Sequence, residues 1–243
     1  MKVVAIIQSR MGSTRLPGKI LKEVLGKSLL EYQLERVAMC KLVDEIVVAT
    51  TTQPADRVIS KLCMDLKVAC TRGSENDVLS RYYEAALKYD ADVVVRLTSD
   101  CPVIDYSVLD QLISHYIHHI ESVDYASNIL DRTYPRGLDA EVFSMKVLRI
   151  AHLEAVEPAH REHVTLYINQ NPFKFKLSGI KNLENLSHYR LTVDTPEDFE
   201  LIKRILTNIY PKNKEFLLKD IIHVLRENPD WVQLNAHIEQ KKI

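Results

Sequence analysis

The chain has 243 residues, 46% of them apolar, which is enough to bury a sizeable core in one large domain. A net charge of -1 leaves no global basic field for a nucleic-acid backbone, and nowhere do about 18 consecutive apolar residues occur to cross a membrane. The four cysteines, Cys40, Cys63, Cys70 and Cys101, show neither CxxC pairing nor zinc spacing, and with no apolar signal segment at the N-terminus they read as free thiols of a cytoplasmic protein.

The apolar run Val3-Val4-Ala5-Ile6-Ile7 predicts a first strand over about Lys2 to Gln8. It leads into Gln8-Ser9-Arg10-Met11-Gly12-Ser13-Thr14-Arg15-Leu16-Pro17-Gly18-Lys19, a glycine-containing basic loop. Glycines let backbone amides approach an anion, and Arg10, Arg15 and Lys19 supply cations for a triphosphate. A P-loop is excluded, because five residues rather than four separate Gly12 from Gly18 and Ile20 follows Lys19 where Ser or Thr is required. The plainer alternative is a basic surface turn. Its position after the first strand favours the phosphate cradle.

Short apolar runs then alternate with helical stretches, the pattern of an α/β fold with a mostly parallel sheet flanked by helices. Helices are expected over Leu29 to Cys40, Ala55 to Asp65, Asn76 to Tyr89 and Val108 to Ile120. Strands are expected over Glu45 to Thr50, around Val68, over Asp92 to Leu97 and over Asp124 to Ser127. Leu138 to Phe143 alternates like a strand lining a cleft; Met145 to Val156 and His160 to Asn169 read as helices. Strands over Phe173 to Leu177 and Arg190 to Val193 precede a well-capped helix from Thr195 to Ile209 and an amphipathic tail from Leu217 to Leu225. No repeat or linker divides the chain, so 1–243 reads as a single domain with a sugar-binding or dimerisation sub-region around 124–190.

Asp100 ends the strand DVVVRL, where open parallel sheets bind ligands, and a carboxylate there suits magnesium as well as it suits capping the turn before Pro102. Asp194 ends a strand before a helix, and its functional reading depends on pairing with Asp100. In Thr71 to Arg81 a base- or phosphate-reading loop competes with a plain helix start in which Asn76 caps and Arg81 lies on a solvated face. Asp139 and Glu141 share one strand face beside Arg136, suited to sugar hydroxyls or simply to solvent. His160 and His163 form a weak metal pair; a substrate contact from Arg161, Glu162 or His163, or a polar surface turn, fits better. Cys101 lacks a base and is rejected as a nucleophile.

Together these segments resemble the cytidylyltransferase family of the acylneuraminate and 3-deoxy-manno-octulosonate activating enzymes, most closely its spore coat polysaccharide biosynthesis protein F branch. QSRMGSTRLPGK is similar to the family's opening loop, RGSENDVLSRYYEAA to a helix signature of the branch and LTSDCP to the strand-end metal motif. PRGLDAEVFS, REHVTLYI and VDTPEDFELI are similar to further branch motifs, so the likeness runs over most of Val3 to Ile205. The resemblance implies a Rossmann-like fold of the nucleotide-diphospho-sugar transferase type, a homodimer, and transfer of a nucleotidyl group from CTP to a sugar with release of pyrophosphate. It implies Arg10, Gly12, Ser13, Arg15, Lys19, Arg72 and Asp77 at the nucleotide, with Lys19, Arg10 and Asp100 catalytic. It also implies Asp100 and Asp194 on Mg2+, and Arg136, Asp139, Glu141 and His163 at the acceptor. Ser99 stands before Asp100 where sialic and octulosonic acid enzymes typically carry Gly, which leaves base and sugar open. Two other functions compete: a glycosyltransferase that consumes a nucleotide sugar, and a non-catalytic nucleotide-binding regulator, against which a retained Lys19, Asp100 and Asp194 argue.

Overall fold

Alternation inside the buried strands decides which helices cover which face of the sheet. In the computed structural model, which describes residues 1–240, Val3–Gln8 forms β1, and its Val3, Ala5 and Ile7 point to one face while Val4 and Ile6 point to the other. A small hairpin of β2 (Glu23–Val24) and β3 (Lys27–Ser28) precedes α1 (Leu29–Ala38), whose start is fixed by a reciprocal cap between Ser28 and Glu31. Next come β4 (Glu45–Thr51), α2 (Arg57–Asp65), β5 (Ala69–Gly73), α3 (Val78–Lys88), β6 (Val93–Thr98) and α4 (Tyr106–His118). Apolar residues of α1, α2 and α4 pack on the Val3 face, and those of α3 pack on the Val4 face.

The second half supplies β7 (Tyr125–Ser127), β8 (Glu141–Ser144), α5 (Met145–Glu154), α6 (Pro158–Glu162), α7 (Leu166–Gln170) and β9 (Leu177–Gly179). It ends with α8 (Pro196–Ile209), α9 (Leu218–Glu227) and α10 (Pro229–Val232). All strands outside the hairpin join one seven-stranded sheet in the order β5-β4-β1-β6-β8-β7-β9. Its β5-β4-β1-β6 half is parallel, and β8 runs antiparallel to both of its neighbours. A third apolar cluster sets α8 and α9 against Leu16, Val24, Tyr32, Leu191 and Val193, tying the C-terminal helices to the opening loop.

Four expected elements differ in detail. Arg190 to Val193 forms an isolated bridge to Arg136 rather than a strand; its amides pair singly, Leu191 N with Arg136 O and Val193 N with Asp100 O, outside the sheet. The strand expected over Leu138 to Phe143 starts only at Glu141, since Gly137 and the Asn128 pairing hold the preceding residues in a loop. The edge strand is Leu177–Gly179, and Phe173 is wholly exposed while Phe175 is buried. Helix His160 to Asn169 is two helices, broken where Val164 adopts φ 49°. All four cysteines are free, and no helix among the described residues is long and apolar enough to cross a membrane.

Candidate active site

The loop after β1 is bent back on itself. Ser13 N and Gly18 N both donate to Met11 O, and Met11 N donates to Asp56 Oδ1 at 2.7 Å, a carboxylate that also takes the Thr51 hydroxyl. Gly18 sits at φ 66°, a left-handed conformation that starts the short turn carrying Lys19. The amides of Gly12, Thr14 and Arg15 make no intramolecular hydrogen bond among the described residues, so the loop presents N–H groups to its surroundings.

Lys19 joins two distant carboxylates: its Nζ lies 3.0 Å from Asp100 Oδ2 and 2.8 Å from Asp194 Oδ1. Burial alone would lower its pKa, but Asp100 and Asp194 hold it above the usual lysine value. Asp100 behaves reciprocally. Burial opposes its ionisation, yet Lys19 and the Thr98 hydroxyl, which donates at 2.6 Å, keep its pKa below the usual carboxylate range. The second oxygen of Asp194 faces Arg15 at 3.0 Å and Arg190 at 2.8 Å.

The acids meet because Val193 N donates to Asp100 O at 2.9 Å, laying the Asp194 segment alongside the end of β6. Arg190 fixes that segment from beneath. Its guanidinium forks onto Asp198, at 2.8 and 3.0 Å, and donates to Gln240 Oε1, while Asp198 caps α8 through the amides of Asp194 and Thr195.

Two cavities open on either side of this cluster. One, of about 350 Å³, is lined by Arg10, Gly12, Ser13, Arg15, Lys19, Arg81, Arg96, Asp100, Glu162, His163 and Asp194 among others. The other, of about 280 Å³, is lined by Arg96, Asp100, Cys101, Arg132, Arg136, Asp139, Glu141, Asp194 and others.

Most expected site residues therefore converge. Arg136, Asp139 and Glu141 line the second cavity, although Asp139 is paired bidentately with Arg132 and Glu141 is enclosed by protein partners. Three of the expected residues lie elsewhere than in the first-cavity or second-cavity position expected of them. His163 borders the first cavity rather than the second. Arg72 lines neither; its guanidinium donates to Thr51 O and Gln53 O and braces the end of β4. Asp77, not Asn76, caps α3, and its carboxylate is forked by Arg161, placing it in an adjoining cavity with Arg10. Arg81, Arg96 and Arg132 are lining residues that sequence reasoning missed. Arg81, expected on a solvated helix face, is 3% exposed, with Nε and Nη1 lacking hydrogen-bond partners.

A family model described as cytidylyltransferase matches residues 4–243 of the chain. The chain belongs to the cytidylyltransferase family. This cytidylyltransferase is similar along its entire length to a cytidylyltransferase structure from Leptospira borgpetersenii serovar Hardjo-bovis, at 37% identity with a TM-score of 0.92 and 100% of both chains covered. It is 32% identical to the spore coat polysaccharide biosynthesis protein SpsF of Bacillus subtilis, over 94% of this chain and 95% of that one. At 18% identity, CMP:2-keto-3-deoxy-manno-octonic acid synthetase, solved in complex with CTP, shares the fold with a TM-score of 0.66 over 85% of this chain and 99% of that one. The family and the fold expected from the opening loop, the helix signature and the strand-end motif are thus both borne out.

Proposed function

We propose that this cytidylyltransferase transfers the cytidylyl group of CTP to a sugar, releasing pyrophosphate and yielding a nucleotide sugar for surface polysaccharide synthesis. One observation carries the reading: a cation-lined cavity and a mixed-charge cavity meet at a single cluster, Lys19 with Asp100 and Asp194. The first suits a triphosphate. The second, with Asp139, Arg132 and Arg136, suits a hydroxyl-bearing acceptor.

In this reading Arg10, Arg15, Lys19 and the free loop amides bind the phosphates and offset their charge. Arg132, Arg136 and Asp139 orient the acceptor so that one hydroxyl faces the α-phosphorus in line. Magnesium fits the Asp100 and Asp194 pair on chemical grounds, since two hard carboxylate oxygens already converge on one cation, the Lys19 ammonium. When bound, the metal supplies charge neutralisation at the phosphate oxygens. The reading also makes the protein a cytoplasmic homodimer.

The test is pyrophosphate release with magnesium, each of the four nucleoside triphosphates and a panel of acidic and neutral sugars. CTP with one sugar is expected to give the signal. Silence with every pair, together with tight binding of a nucleotide sugar, would replace the reading by a glycosyltransferase or a regulator.

Arg81 offers a sharper check on the nucleotide side. Its side chain lines the first cavity with two nitrogens buried and unpartnered, and burial pulls its pKa below the ordinary guanidinium value, so a ligand acceptor beside it would offset an otherwise costly group. Arg81→Gln is expected to raise the nucleotide KM by roughly tenfold, about the worth of one charge-assisted hydrogen bond. A KM within twofold of wild type would take Arg81 out of the site.

A further inference from the structure

Arg96, Thr98, Asp100 and Asp194 line both cavities, and Arg96 is the cation among them. They form the seam where a group held in one cavity meets a group held in the other. Arg96 belongs to the central strand β6, in register between Ile6 of β1 and Glu141 of β8, so it stands on a rigid part of the sheet. Its guanidinium is gripped from two sides: Nη1 pairs with the Glu141 carboxylate and Nη2 donates to Gln8 Oε1 at 3.2 Å. Nε is buried without a hydrogen-bond partner. Glu141 Oε1 accepts from the Tyr125 and Thr165 hydroxyls at 2.5 Å each, and Oε2 serves Arg96, so both oxygens are engaged inside the protein. Burial would discharge Arg96, but the Glu141 charge holds its pKa above the usual value. A charged guanidinium, largely buried, is thereby fixed at the seam.

We propose that Arg96 is a catalytic residue that contacts the α-phosphoryl oxygens during transfer, and that Glu141 positions it rather than binding the sugar. The proposal rests on the cytidylyl-transfer reading. In that step the acceptor oxygen bonds to the α-phosphorus while the bond from that phosphorus to the α,β-bridging oxygen breaks. The electron pair leaves on pyrophosphate, and the hydroxyl proton passes to pyrophosphate or water. Charge gathers on the non-bridging oxygens at the seam. Lys19 is there shared between two carboxylates, while Arg96 is held by one, Glu141, and by Gln8, and is thus oriented in advance of that charge.

The experiment compares wild type with Arg96→Gln, Arg96→Lys and Glu141→Gln in turnover, melting temperature and calorimetric binding of cytidine and cytidine monophosphate. If the four-nucleotide survey selects another base, its nucleoside and monophosphate replace these. Arg96→Gln is expected to lower kcat roughly a hundredfold or more. It should also erase at least about fivefold of the preference for the monophosphate over the nucleoside, with nucleoside affinity unchanged. Arg96→Lys should recover part of kcat, because it keeps the charge but loses the fork. The binding comparison stands even if wild type releases no pyrophosphate, so failure of the transfer reading is distinguishable from failure of this contact. An unchanged monophosphate preference, or kcat within threefold of wild type, would overturn the Arg96 role. Should the Gln variant not fold, an unaltered kcat in Arg96→Lys overturns it equally. Glu141→Gln should lower kcat about tenfold while the protein stays folded; a lower melting temperature with full kcat would reduce Glu141 to a structural acid.

Discussion

Replacing Asp100 by Ala is expected to cut pyrophosphate-releasing turnover by more than about a thousandfold, equivalent to some 4 kcal/mol of transition-state stabilisation. The carboxylate holds Lys19 at the junction of the two cavities and is one half of the acid pair suited to a metal. Its side chain takes no part in the packing of the sheet; the contact that closes the site runs through its carbonyl oxygen, which accepts from Val193 N and survives the substitution. The variant should therefore keep its fold, as circular dichroism and a thermal melt will show. Asp100→Asn, which preserves shape and removes charge, should behave alike. Lys19→Ala should cost as much as Asp100→Ala, and the double variant no more than either alone, because the groups act as a unit. Turnover within fivefold of wild type in a folded Asp100→Ala protein would remove Asp100 from the chemistry.

The largest effect on stability is expected from Gly137→Ala. Gly137 adopts φ +98°, and an added Cβ would stand 2.4 Å from the Leu191 carbonyl carbon and 2.5 Å from Thr192 N. Both are backbone atoms, so no side chain can swing aside. The strained φ and the overlap together should cost more than about 3 kcal/mol, a fall in melting temperature of roughly 6–12 °C for a chain of this size. The damage also reaches the site. Arg136 N donates to Tyr189 O and Leu191 N to Arg136 O, and this bridge carries the backbone towards Asp194. Prying it open should lower kcat in the fraction that remains folded. A melting temperature within 2 °C of wild type would show that the segment relaxes freely and that the close approach is not required.

What the sequence discloses about this molecule follows from how local each signal is. The first strand, its glycine-containing loop and Asp100 at the end of β6 are legible because strand periodicity and turn chemistry are written in neighbouring residues. Asp194 is legible through the helix start behind it, Thr195-Pro196-Glu197-Asp198, whose reciprocal cap the structure contains. Arg81, Arg96 and Arg190 are not. A charged residue within an apolar pattern looks the same on paper whether it meets water, a carboxylate or a ligand, and its fate is set by partners far along the chain. Arg96 is chosen by Glu141, 45 residues away, and Arg190 lies under Gln240, 50 residues away. Likewise, Arg190 to Val193 has the composition of a strand, but its backbone pairs only at single points with Arg136 and Asp100, partners far back along the chain.

The Lys19 bridge spans 81 residues to Asp100 and 175 to Asp194. Closing loops of that length carries an entropic cost that grows with separation, and contacts of such high order form late as a chain folds. Helices, whose contacts are local, can be in place while the three groups are still apart. Recovered activity would then be a stricter measure of completed folding in this protein than recovered helical content.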